Sequence, residues 1–135
     1  MAPDQAERIA IESDADVVTA RQRARALAVG LEMPSTDQTL LATAISEIAR
    51  NITAYAVRGE VVLEIVQDGA RRGIRVVAQD EGPGIDDVEK ALSDGYSTGS
   101  GLGLGLPGAR RLVDEFDIQT APGAGTRVTL VKWTR

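Results

Sequence analysis

The chain has 135 residues and a formal net charge of -5, with no cysteine and no histidine. Those two absences exclude a disulfide framework, thiol or Ser-His-Asp catalysis, zinc sites built on His or Cys, and any phosphohistidine carried by the chain. Carboxylates, amides, hydroxyls, backbone N–H groups and a hard cation such as Mg²⁺ remain for chemistry.

The length fits one domain, residues 1–135, large enough to bury a core without staples. Asp plus Glu total 20 against 15 for Lys plus Arg, and no basic cluster offsets the balance, so nucleic acid is not an expected partner. No apolar run approaches the roughly 18 residues that a membrane span needs. The polar start, M-A-P-D-Q-A-E-R-I-A, lacks the apolar region of a signal peptide, so a cytoplasmic location is expected.

In chain order, residues 8–12 (R-I-A-I-E) alternate and predict a short strand. Asp14 or Asp16 caps a first helix, whose apolar side is Val17, Val18, Ala24, Leu27, Ala28 and Leu31. Gly30 and Pro34 end it. Ser35 or Thr36 caps a second helix running to Tyr55. Its Leu41, Ile45, Ile48, Ile52 and Tyr55 recur at spacings of 4, 3, 4 and 3, one buried stripe. After Gly59, residues 61–66 and 74–80 read as strands around a turn at 69–73. A glycine-proline loop, a short helix at 88–92 and a glycine-rich loop at 94–105 follow. A helix at 107–116 starts on Pro107, and strands at 117–120 and 126–133 close the chain. The order predicts an α/β sandwich with a mixed, mainly antiparallel sheet and helices on one face.

Four motifs suit a nucleotide. Glu47 and Asn51 stand at i and i+4 on the second helix, hence on one face. An amide oxygen suits Mg²⁺, and a carboxylate one turn away can orient a water or hydroxyl beside it. The same pair also fits an ordinary solvated helix edge. Asp80-Glu81-Gly82-Pro83-Gly84 ends a strand. Its carboxylate can accept from an exocyclic amine such as adenine N6, and glycines admit close approach; a plain turn is the alternative. Gly99-Ser100-Gly101-Leu102-Gly103-Leu104-Gly105 leads into a helix, the arrangement of a phosphate cradle. It neither follows a strand directly, as a dinucleotide fingerprint must, nor contains the G-K-[ST] of a P-loop. The alternative is a linker, against which the apolar Leu102, Leu104 and Leu106 argue. Gly123-Ala124-Gly125-Thr126 precedes the last strand, either a hairpin turn alone or a threonine hydroxyl placed to support Asp80.

The order E-x-x-x-N, D-x-G-x-G, G-x-G-x-G, G-x-G-T over nearly the whole chain resembles the GHKL ATP-binding fold of gyrase-type ATPases, Hsp90-type chaperones, histidine kinases and anti-sigma serine kinases. The stretches T-A-I-S-E-I-A-R-N-I, D-E-G-P-G-I, D-G-Y-S-T-G-S-G-L-G-L-G-L-P-G, R-L-V-D-E-F and V-K-W-T-R look like the RsbT-type switch kinases of bacterial stress-signalling complexes, the stressosomes. The resemblance implies a serine/threonine protein kinase that uses ATP and Mg²⁺, phosphorylates a STAS-domain scaffold or antagonist protein, and after release activates a PP2C-type phosphatase. It implies Glu47 as catalytic carboxylate, Asn51 as Mg²⁺ ligand and Asp80 as adenine reader, with Gly82 and Gly84 shaping the pocket and Thr126 behind it. Ser97, Thr98, Gly101, Leu102, Gly103 and Gly105 cradle the phosphates of ATP or ADP. The other readings on the same fold are an anti-sigma factor that sequesters a sigma factor directly and a non-catalytic ATP-binding module. No Lys or Arg lies between Ala91 and Ala109, so Arg50, Arg110, the metal and backbone, or a partner must neutralise the γ-phosphate. Arg21, Arg23 and Arg25 on the first helix form either a solvated face or a dock for an acidic partner. Trp133 reads as core or sheet-edge packing.

Overall fold

The computed structural model describes residues 6–56, 58–82, 105–120, 123 and 125–134. Strands β1 (Glu7–Ile11), β2 (Gly59–Asp68), β3 (Arg71–Asp80), β4 (Glu115–Thr120) and β5 (Thr126–Trp133) form one sheet in the order β1-β2-β3-β5-β4. All four pairings are antiparallel, so the mainly antiparallel sheet expected from the sequence is antiparallel throughout the described residues. Because β3 and β4 are both antiparallel to β5, they run in the same direction with β5 between them.

Alternation along the strands sorts the sheet into two faces. Val61, Leu63, Ile74, Val76, Val128 and Leu130 point to one face and are buried. Helix α1 (Asp14–Gly30), α2 (Ser35–Tyr55) and α3 (Gly105–Leu112) share that core. In α2 the predicted stripe is the centre: Leu41, Ile45, Ile48 and Ile52 are 0–2% exposed. The 3.6-residue repeat aims all four at the sheet. The opposite sheet face carries the Arg75–Glu64 and Arg8–Glu60 ion pairs and Trp133. The Arg71 guanidinium lies 4.1 Å from the Trp133 ring centroid, and the indole N–H donates to Glu115 at 2.7 Å. Trp133 thus packs on the outer face of the sheet between β3 and β4, at the end of an interior strand rather than in the core or on an edge strand.

Helix ends differ from the sequence reading. Ser13, not Asp14 or Asp16, is the N-cap of α1. Asp16 instead reaches back, its Oδ2 accepting from the N–H of Glu12, the residue before the N-cap, at 2.8 Å. Pro34 occupies the N-cap of α2, and neither Ser35 nor Thr36 caps it; Ser35 is its first residue. Helix α3 spans Gly105–Leu112 rather than 107–116, and Phe116 belongs to β4. Its end is set from outside: Lys132 Nζ, on the core-facing side of β5, donates to the Leu112 carbonyl at 3.1 Å, a cation on a helix C-terminus. The Asp114 N–H then donates to the Val131 carbonyl at 3.0 Å and starts the β4–β5 ladder three residues earlier than expected. The short helix expected at 88–92 lies outside the described residues.

Candidate nucleotide site

Asp80 is the last residue of β3, where the ladder ends and backbone N–H groups become available. Its Oδ1 accepts two of them: Gly82 N at 2.8 Å and Thr126 N at 3.2 Å. The first is the Asx-type bond that a turn after an aspartate favours. The second crosses to β5, through the register pair Asp80–Thr126. With Oδ1 fixed, Oδ2 has no hydrogen bond from the described residues and is presented as an acceptor. Hydrogen bonds to a carboxylate are the stronger kind, about 1.5–3 kcal/mol each, so this orientation is well determined.

Glycines let the backbone close around that carboxylate. Gly125 has φ +80, and a Cβ there would overlap the Asp80 carbonyl oxygen. The β4–β5 turn is thus a hairpin and also the clamp on Asp80. On the other side, Gly59 pairs with Asp80 across the β2–β3 ladder. A Cβ on Gly59 would overlap the Gln79 carbonyl oxygen and come within 2.9 Å of Ile52 Cγ2. Helix α2 and the end of β3 therefore meet at Gly59.

Glu47 and Asn51 lie on the same helix, α2, with Asn51 next to Ile52. Glu47 is 9% exposed, one of few charged groups in the core layer. Arg50 Nη1 donates to Glu47 Oε1 at 3.2 Å, one turn along the helix. Asn51 is half-buried, and the described residues give its amide no hydrogen bond. No buried side-chain N or O lacks a partner among the described residues, so the Asn51 amide faces solvent and is open to an incoming group. Of the basic residues considered for a γ-phosphate, Arg50 stands at Glu47 and Arg110 is exposed on α3.

Gly105 opens α3, whose Leu106 and Ala109 are buried, so the core holds this helix N-terminus in place. Gly84, Ser97, Thr98, Gly101, Leu102 and Gly103 lie outside the described residues.

Two details depart from the sequence reading. Thr126 supports Asp80 through its backbone N–H; its hydroxyl pairs with Thr120 Oγ1 at 3.0 Å. Thr120, at the end of edge strand β4, also donates to the Gly125 carbonyl at 2.9 Å. No motif singles it out. Asp80, Thr120, Gly125 and Thr126 line a cavity of about 230 Å³ together with Gln79, Gln119 and Arg127. Away from the site, Arg23 is paired with Glu7 at 2.6 Å and Arg25 donates to Thr39 at 3.0 Å, so part of the α1 arginine charge is used within the molecule.

Residues 36–134 match the family described as histidine kinase-, DNA gyrase B-, and HSP90-like ATPase. The serine/threonine-protein kinase RsbT of Bacillus subtilis (strain 168) is 45% identical over 127 residues, covering 94% of this chain and 96% of that protein. An anti-sigma F factor of Caldanaerobacter subterraneus subsp. tengcongensis is 30% identical over 95 residues, 67% of this chain and 66% of that protein. Among solved structures, the histidine kinase domain of the Erythrobacter litoralis EL346 blue-light activated histidine kinase aligns with a TM-score of 0.49 at 25% identity, covering 73% of this chain and 45% of that one.

Proposed function

Because the chain belongs to the histidine kinase-, DNA gyrase B-, and HSP90-like ATPase family, we propose that its site carries phosphoryl transfer from ATP to a serine or threonine of a separate protein. The observation that carries this reading is Asp80: one oxygen is fixed by two backbone amides and the other is left as an acceptor at a strand end. An exocyclic amine, the adenine N6, satisfies that acceptor. The match to a serine/threonine-protein kinase over 94% of the chain supports the class of reaction.

Each residue then has a task. Asp80 orients the base. Gly82 and Gly125 hold Asp80, and the N-terminus of α3 at Gly105 offers N–H groups to phosphate oxygens. Asn51 fits Mg²⁺ because its amide is half-buried and unclaimed by the described residues. No three acidic groups converge among the described residues, and Mg²⁺ shared with phosphates needs only one or two protein ligands. When bound, Mg²⁺ would neutralise charge on the phosphoryl oxygens. Glu47 accepts the proton of the attacking hydroxyl or orients it. Arg50, bonded to Glu47, keeps that carboxylate aimed before the acceptor arrives.

The acceptor in this reading is a STAS-domain scaffold or antagonist protein, and a PP2C-type phosphatase is the second partner. Both extend the likeness to RsbT-type kinases. The anti-sigma F relatives favour a second reading, direct sequestration of a sigma factor, but they align with only 67% of the chain. Incubation with ATP, Mg²⁺ and a STAS-domain protein separates the two. The kinase reading predicts labelled phosphate on the acceptor, lost in Glu47→Gln. Stable co-purification with a sigma factor and no transfer would favour sequestration.

A further inference from the structure

We propose that Thr120 is a positioning residue that makes the base site an acceptor-only wall and so selects 6-amino over 6-oxo purines. The proposal rests on the nucleotide reading of Asp80 given above. A threonine hydroxyl has one proton. That of Thr120 goes to the Gly125 carbonyl, which can only accept, at 2.9 Å. In the 3.0 Å contact between the two hydroxyls, Thr126 must therefore be the donor. Its proton is consumed, and its oxygen has only lone pairs to offer.

Asp80 Oδ2 has the same character, because the carboxylate accepts and cannot donate. Thr126 and Asp80 are register partners, joined by the Thr126 N–H to Asp80 Oδ1 bond, and both line the same cavity as Thr120. A 6-aminopurine brings an N–H donor to this wall. At the same 6-position a 6-oxopurine brings a carbonyl oxygen, which meets lone pairs and finds no donor; its N1–H lies at the neighbouring ring atom and reaches the wall only if the base shifts. A site built to accept a hydrogen bond rejects a ligand that lacks the donor, since buried polar groups are then left unpaired. Thr120 is what keeps Thr126 in that state. Without the Thr120 hydroxyl, the Thr126 proton is free to rotate toward a carbonyl oxygen.

The test is the ratio of ADP to IDP affinity, measured by calorimetry on the full chain. These two ligands differ only at the purine 6-position and its N1 proton. Wild-type protein is expected to prefer ADP. In Thr120→Val the preference falls about tenfold, with IDP binding improved relative to ADP. Thr120→Ser, which keeps the hydroxyl, restores the ratio to within about twofold. A thermal melt shows whether each variant is folded; should the valine variant not fold, Thr120→Ala is read in its place. If Thr120 only supports the turn, both ligands weaken by the same factor and the ratio does not move, which overturns the proposal. If wild-type protein binds ADP but Thr120→Ser loses the preference as fully as Thr120→Val, the proton argument is also wrong. If wild-type protein binds neither nucleotide, the reading of Asp80 fails first, and this inference falls with it.

Discussion

The two ends of the site are built in different ways. At the base end, Asp80 is held by backbone: two N–H groups on Oδ1, glycine contacts on both sides and a strand register that spans β2, β3 and β5. At the phosphoryl end, Glu47 and Asn51 project from one helix; Arg50 donates to Glu47, and the described residues give the Asn51 amide no hydrogen bond. Backbone clamps cost little entropy on binding, so the base end is fixed before any ligand arrives. The helix face, in the proposed reading, leaves the Asn51 amide for the metal and brings Glu47 to the acceptor. Under the proposed function, the contrast places affinity and base choice at the sheet end and chemistry on α2.

Substitutions that separate these two functions break or sharpen the comparison. The largest effect is expected for Glu47→Gln. It keeps the shape of the side chain and removes the base, so transfer to the acceptor falls about 100- to 10,000-fold. ADP affinity, measured by calorimetry, stays within about twofold. Asp80→Asn is next and has the converse signature. Its amide oxygen can still accept from Gly82 and Thr126, which turns an N–H₂ donor toward the base. ADP binding is expected to weaken about 10- to 100-fold by the same titration, the loss of a charged hydrogen bond.

Gly125→Ala tests the clamp. The positive φ and the overlap with the Asp80 carbonyl predict about 1–3 kcal/mol of destabilisation in a denaturant melt, together with weaker ADP binding. Lys132→Met is the smallest and serves as the control. It removes the bond to the Leu112 carbonyl and the 3.8 Å approach to Asp37. It should cost about 1 kcal/mol in the same melt and leave the ADP to IDP ratio unchanged.

Much of this was legible in the residues, for identifiable reasons. The Leu41–Ile52 stripe has a period that only a helix packed on one side can use, and Glu47 and Asn51 inherit their shared face from it. Asp80 was placed correctly because glycines stop a strand where they stand. The clamp was less visible. A sequence displays side chains, so the Thr126 hydroxyl drew attention, whereas the group on Asp80 is the Thr126 backbone N–H. Thr120 is one threonine at the end of an edge strand, and only the register with Thr126 gives it a role. The end of α3 was misplaced because residues 113–116 continue a helix-compatible pattern. Lys132 and the Val131 carbonyl, distant in sequence, stop that helix early.

The most direct test of this division is single-turnover phosphoryl transfer to a STAS-domain acceptor at increasing ATP, with wild-type protein, Asp80→Asn and Glu47→Gln side by side. The division predicts that Asp80→Asn approaches the wild-type rate as ATP saturates, while Glu47→Gln stays at least about 100-fold slower at every concentration. Transfer by Glu47→Gln at the wild-type rate under saturating ATP would contradict it, as would an Asp80→Asn defect that no ATP concentration relieves.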